Sequence, residues 1–148
     1  MRTILLLSLC LFGATLAPAA EKDIDRHKYN FSITDRDGRV LGTGSLGLPF
    51  KFGSDGNGTA TWKFTATEVT STNRYWMKAK GRLAKGSGEA KAVCKDSWFT
   101  LDFNPGWHDN NVTVSWATKK EAGTVYFADF VGGHPCAFFK ISQKEVQP

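Results

Sequence analysis

Apolar and polar residues alternate along most of this chain with a period of two. Ala60, Trp62, Phe64 and Ala66 are interleaved with Thr59, Thr61, Lys63, Thr65 and Thr67, the pattern of a half-buried strand with a threonine-rich wet face. Phe99, Leu101 and Phe103 alternate with Trp98, Thr100 and Asp102, and Val112, Val114 and Trp116 with Thr113 and Ser115. Val125, Phe127 and Val131 oppose Tyr126, Ala128 and Phe130 in a segment that reads as a strand buried on both faces. Ala137, Phe139 and Ile141 close the series. Nearer the start, residues 29–34 and 40–52 read as two strands joined by the turn Asp35-Arg36-Asp37-Gly38. Turn-forming residues separate these runs at 53–58, 86–88, 104–106, 119–123 and 132–135. Short, evenly punctuated strands predict an all-β domain, a single antiparallel barrel or sandwich of about seven to ten strands. No segment carries a convincing helical stripe.

The first twenty residues break the pattern. Met1-Arg2 supplies charge, residues 4–12 an apolar run, and Ala17-Pro18-Ala19-Ala20 small side chains, the layout of a secretory signal peptide cleaved after Ala20. The apolar run is about half the length that crosses a bilayer, so no membrane span is expected. Residues 21–148 then form one secreted domain, periplasmic if the source is bacterial. Removing Arg2 with the leader leaves 18 Lys and Arg against 14 Asp and Glu, a mild cationic excess suited to an acidic partner. With Cys10 in the leader, Cys94 and Cys136 are an even pair in an exported chain, and one disulfide between them is expected. Asn30, Asn57 and Asn111 each begin an N-glycosylation acceptor sequence.

The most unusual local pattern is Arg74-Tyr-Trp-Met-Lys-Ala-Lys-Gly-Arg82. Read as a strand, it puts Arg74, Trp76, Lys78, Lys80 and Arg82 on one face, a cationic ladder with an indole in it. Such a face suits an acidic polysaccharide, an anionic lipid surface or nucleic acid, with Trp76 stacking on a ring. The bland alternative is an edge strand whose lysines block sheet-to-sheet association. Trp62 and Trp116 sit in register with apolar neighbours and read as core. Trp107, with His108 in the polar loop 104–111, reads as exposed or as a plug of a barrel end, and the two are carried as candidate binding positions. His108, His134, Asp109 and Asp129 are metal-ligand types, yet nothing in their spacing gathers them, and 132–135 reads as an ordinary turn. Neither a nucleophile elbow nor a phosphate loop appears, nor compelling paired carboxylates, so enzymatic activity, metal and cofactor are not expected.

Three stretches resemble the fungal secreted β-barrels similar to the major Alternaria allergen. They are Tyr29-Asn-Phe-Ser-Ile-Thr-Asp-Arg-Asp-Gly-Arg39; Ser45-Leu-Gly-Leu-Pro-Phe-Lys-Phe52 with the strand that follows; and Cys94-Lys-Asp-Ser-Trp-Phe-Thr-Leu-Asp-Phe103, with Cys136 some forty residues later. Members of that family usually carry a further disulfide, for which this chain has no cysteines. The resemblance implies a barrel and an effector or elicitor role toward a plant host. The expectation is therefore a secreted, non-enzymatic binding protein that recognises a host protein or an acidic cell-surface or cell-wall component; nucleic acid is not the expected partner. The alternative is a bacterial periplasmic inhibitor or immunity protein that presents the 104–111 loop to a cell-wall hydrolase or toxin.

Overall fold

A computed structural model of the protein describes residues 26–49, 51–103 and 110–143. Eight strands and one helix follow in chain order: β1 (Arg26–Thr34), β2 (Val40–Pro49), β3 (Asn57–Ala66), α1 (Arg74–Leu83), β4 (Ser87–Lys95), β5 (Trp98–Asp102), β6 (Asn111–Ala117), β7 (Ala122–Asp129) and β8 (Gly132–Gln143). Each strand pairs antiparallel with the next, and β8 returns to β1 over Tyr29↔Gln143 to Thr34↔Phe138, closing the sheet. Between barrel and sandwich, the chain is a closed barrel. Closure leaves no edge strand to blunt.

The period-two alternation sorts side chains to the two faces of this sheet. Phe31, Ile33, Leu46, Leu48, Ala60, Trp62, Phe64, Ala90, Ala92, Leu101, Val112, Val114, Trp116, Val125, Phe127, Phe139 and Ile141 are all buried and form one cluster. Their rings make a connected network: Phe31–Phe139 at 5.2 Å, Phe99–Trp116 at 5.2 Å, Trp116–Phe139 at 5.3 Å and Trp62–Phe103 at 5.3 Å between centroids. An eight-stranded barrel is just wide enough for its interior to be filled by side chains, and this one is filled with aromatics. The exposed positions on the strands include Asn30, Thr43, Thr59, Lys63, Thr65, Lys91 and Lys140. Apolar inside and polar outside is the reverse of a barrel that spans a lipid bilayer.

Gly44 shows how tightly the wall is built. It lies opposite Phe31 on β1 and Phe64 on β3, whose rings stack at 6.3 Å and 6°. A Cβ at Gly44 would fall on the Phe31 ring and on the Lys63 carbonyl oxygen, well inside contact distance. The missing side chain is what lets the two rings meet.

Two expectations are corrected. Residues 74–83 are a helix, not a strand. Asn73 caps it, its Oδ1 accepting from the backbone N–H of Tyr75 (2.9 Å) and Trp76 (3.1 Å). Lys80 and Arg82 in the last turn suit the negative end of the helix dipole. The alternation of charged and apolar residues there hides a second period, for Trp76, Ala79 and Leu83 at i, i+3 and i+7 are the buried residues. The turn at 86–88 falls where the helix, ending at Leu83, passes into β4.

The second correction concerns the disulfide. Cys94 and Cys136 are both free. Cys94 lies on β4 and Cys136 on β8, and the closed order β1 to β8 puts three strands between them in either direction. Side chains on opposite walls of a filled barrel cannot approach to disulfide distance. Cys136 is buried, its Sγ 3.4 Å from the Val125 carbonyl oxygen at a register shift, and burial pushes its thiol up to about 12.

Candidate functional site

In an up-and-down barrel the odd-to-even connections share one end. Here that end carries the β1–β2 turn, helix α1 between β3 and β4, and the β7–β8 hairpin tip. The helix closes the end. Trp76, 1% exposed, packs edge-on against Phe64 of β3 at 6.4 Å. Its neighbour Tyr75 lies flat on His134 of β8, centroids 4.0 Å apart and planes within 4°, and 6.4 Å from Phe127 of β7. The β3 strand then receives the helix exit, with the Phe64 N–H donating to the Gly86 carbonyl at 2.8 Å.

The helix's outward face follows from the same 3.6 period. Arg74, Lys78 and Arg82, at i, i+4 and i+8, are exposed and lie along one stripe, with no acidic residue in the first turn. Beside them Met77 is 58% exposed. Two of the cations are held. The Arg74 guanidinium donates to the Tyr75 hydroxyl at 2.7 Å and sits 4.7 Å over that ring, and Lys78 Nζ stands 5.6 Å from the Phe127 ring centre.

Next to the helix is the hairpin tip, Phe130-Val131. These residues are 87% and 89% exposed, the most exposed large hydrophobic side chains among the described residues. One carboxylate fixes the turn. Asp129 Oδ1 accepts from the backbone N–H of Val131 (3.0 Å) and Gly132 (3.2 Å), and from His134 Nε2 at 3.0 Å. The bond from His134 holds Asp129 below the ordinary carboxylate value, against the opposing pull of burial, with the Val131 and Gly132 amides helping. Through His134 and its stack on Tyr75, tip and helix are one preorganised unit.

Of the residues singled out in the sequence, Arg74, Lys78 and Arg82 come together on this surface. Lys80 falls off the stripe toward the packed face and is half-buried, and Trp76 turns inward as core. Trp107 and His108 lie outside the described residues. Trp62 and Trp116 are core, while Trp98 is 53% exposed at the opposite end, beside the two-residue turn Asp96-Ser97. Asn30 and Asn57 are exposed; Asn57 donates through Nδ2 to Asp55 at 2.8 Å, and Asn111 is half-buried with Nδ2 3.3 Å from Asp102. His134 stands in β8, not in a turn, and the five-residue separation from Asp129 becomes a direct bond only because a hairpin folds between them. No group of three or more His, Cys, Asp or Glu gathers among the described residues. Sequence reasoning missed the tip itself. Phe130 and Val131 read as strand core, although the flanking Asp129 and Gly132-Gly133 were a turn signal.

Two further carboxylates are held low by hydrogen bonds in the same way. Burial acts to raise Asp35, but hydrogen bonds from the Arg39 amide, its guanidinium at 2.7 Å and the Asp37 amide outweigh it and hold the carboxyl below the ordinary value. The side chain and amide of Asn57 do the same for Asp55. A carboxyl depressed in the fold binds its proton less readily than in the unfolded chain. Its contribution is therefore complete above the ordinary value of 3.8 and is lost as pH falls through the depressed folded values. Thermal melts should stay level from pH 7 to about 5 and fall steeply below about 4. Asp35→Asn should make that fall shallower; an unchanged acid slope would contradict the assignment.

Compared with known protein families and with curated proteins, the chain matches none.

Proposed function

We propose that this chain is a secreted, non-enzymatic recognition barrel that docks an acidic component of a host surface through the helix-capped end. The observation that carries the reading is the stripe of Arg74, Lys78 and Arg82 on a helix whose other face is locked into the barrel by Trp76, Ala79 and Leu83. A rigid, cationic face without acidic residues in its first turn costs little conformational entropy to present. The filled interior supports surface recognition over a ligand held within the barrel. The leader-like first twenty residues and the exposed acceptors Asn30 and Asn57 support export. The broader role, an effector or elicitor acting on plant defence, follows the resemblance to the Alternaria-allergen group of fungal barrels.

Dextran sulfate is a suitable acidic probe. Lys78→Glu with Arg82→Glu should weaken its binding about tenfold or more, since two reversals turn local attraction into repulsion, and the residual binding should fall further with salt. Circular dichroism should be unchanged because both side chains are exposed. Equal binding by the double variant would rule the stripe out.

A further inference from the structure

The cationic stripe does not account for Phe130 and Val131. Two adjacent apolar side chains at nearly full exposure on a hairpin tip are an unfavourable choice for a turn, where Gly, Asn or Asp would serve the backbone better. Nor is the tip a loose excursion. Asp129 Oδ1 takes three hydrogen bonds to fix the turn, and the His134–Tyr75 stack ties it to the helix. The fold holds this pair outward.

We infer that the helix-capped end is a peripheral membrane-docking surface, in which Phe130 and Val131 enter the headgroup and upper acyl region while Arg74, Lys78 and Arg82 meet anionic lipid headgroups. This rests on the proposed reading of the helix face and names its acidic partner as a lipid surface. Three observations favour lipid over protein. First, the apolar element protrudes and is only two residues wide, whereas a specific protein interface needs about 800 Å² of complementary surface on each side. A fluid acyl layer needs no complementary shape. Second, the apolar and basic elements are adjacent in space, joined by the Tyr75 ring, which contacts His134 near the tip on one side and Arg74 on the other. An apolar insertion flanked by cations is the composition that binds anionic interfaces. Third, Met77, a flexible apolar side chain, is exposed on the helix beside the cations and adds apolar surface to that face. Nothing here requires crossing: among the described residues no helix is long and apolar enough to span a membrane.

Three acidic groups at this end are taken up locally: Asp129 by His134, Asp35 by Arg39 at 2.7 Å, and Asp37, which stands 4.0 Å from the same guanidinium. These pairs belong to the hairpin tip and to the β1–β2 turn, not to the outward stripe. Glu68, on the connection from β3 to the helix, is exposed and lies outside the stripe of Arg74, Lys78 and Arg82.

The test is co-sedimentation of the full chain with vesicles of phosphatidylcholine alone and of phosphatidylcholine with one part in four phosphatidylglycerol. Binding should be confined to the anionic vesicles. Phe130→Ser with Val131→Ser should reduce it about tenfold or more, and Lys78→Glu with Arg82→Glu by roughly a hundredfold. A Phe130→Trp variant with every native tryptophan retained should gain a blue-shifted emission component on the anionic vesicles. Sedimentation lost in the helix variant but retained in the tip variant would overturn the insertion and leave charge recognition standing. If neither vesicle binds while dextran sulfate still distinguishes the helix variant, the lipid inference fails and the acidic partner is a polymer or protein. Vesicle binding that ignores the helix reversal would overturn both.

Discussion

Trp76→Ala should be the most damaging single substitution on the helix, costing about 3–5 kcal/mol. The indole is 1% exposed and sits edge-on against Phe64, so truncation removes a large buried surface and leaves a cavity where helix meets barrel. The helix has little else of its own to hold it. It is ten residues long, shorter than an isolated helix needs in water, and carries Gly81 on its exposed side. Its stability comes from the Asn73 cap and the face formed by Trp76, Ala79 and Leu83. Against a typical total stability of about 5–15 kcal/mol, the loss is a large share. With a urea dependence of about 2 kcal/mol/M, the unfolding midpoint should fall by roughly 2 M. A cost below about 1 kcal/mol would mean that the helix does not plug the barrel. The binding surface should suffer with it, since Arg74, Lys78 and Arg82 are positioned only by the helix.

Gly44→Val should cost about 3 kcal/mol, near the upper end of what overpacking does. The added side chain has to displace either the Phe31 ring, stacked on Phe64, or the neighbouring strand's backbone at Lys63. Neither gives easily, since Phe31 also contacts Phe139 and the Lys63 carbonyl belongs to the β2–β3 ladder. Gly81→Ala makes the contrasting control. No heavy atom lies within 4 Å of a Cβ there, and the exposed helix position should gain up to about 1 kcal/mol. Opposite signs at two glycines, read from paired urea melts, separate local crowding from a general effect of removing glycine. If Gly44→Val were neutral, the stacking of Phe31 on Phe64 across the wall would be wrong.

The barrel wall was legible because alternation is a local property. Trp62, Trp116 and Phe139 each announce their inward face through the polar residues beside them. Closure was not legible, for the β1–β8 pairing joins residues more than a hundred positions apart and leaves no mark in either strand alone. The helix was misread for a specific reason: with cations at 74, 78, 80 and 82, the segment satisfies a period of two as well as the i, i+3, i+7 spacing of Trp76, Ala79 and Leu83. Only Asn73, a good cap, argued for the second. β4 gave a faint signal because its inward residues are Ala90 and Ala92, small enough to make room for the large rings opposite. The cysteine expectation counted two thiols correctly but had no access to the strand order that separates them. At the surface, the cations were found for a partly wrong reason, and the apolar tip was lost because two hydrophobic residues beside a strand look like more strand.

Amide chemical-shift mapping of the labelled protein, titrated with dextran sulfate, tests most directly whether the helix-capped end is the docking surface. The largest shifts are expected in residues 74–83, with smaller ones in 129–134 carried through the Tyr75–His134 stack. Shifts concentrated instead on the outward face of β1, β2 and β3, around Asn30, Thr43 and Lys63, with the helix silent, would contradict docking at that end.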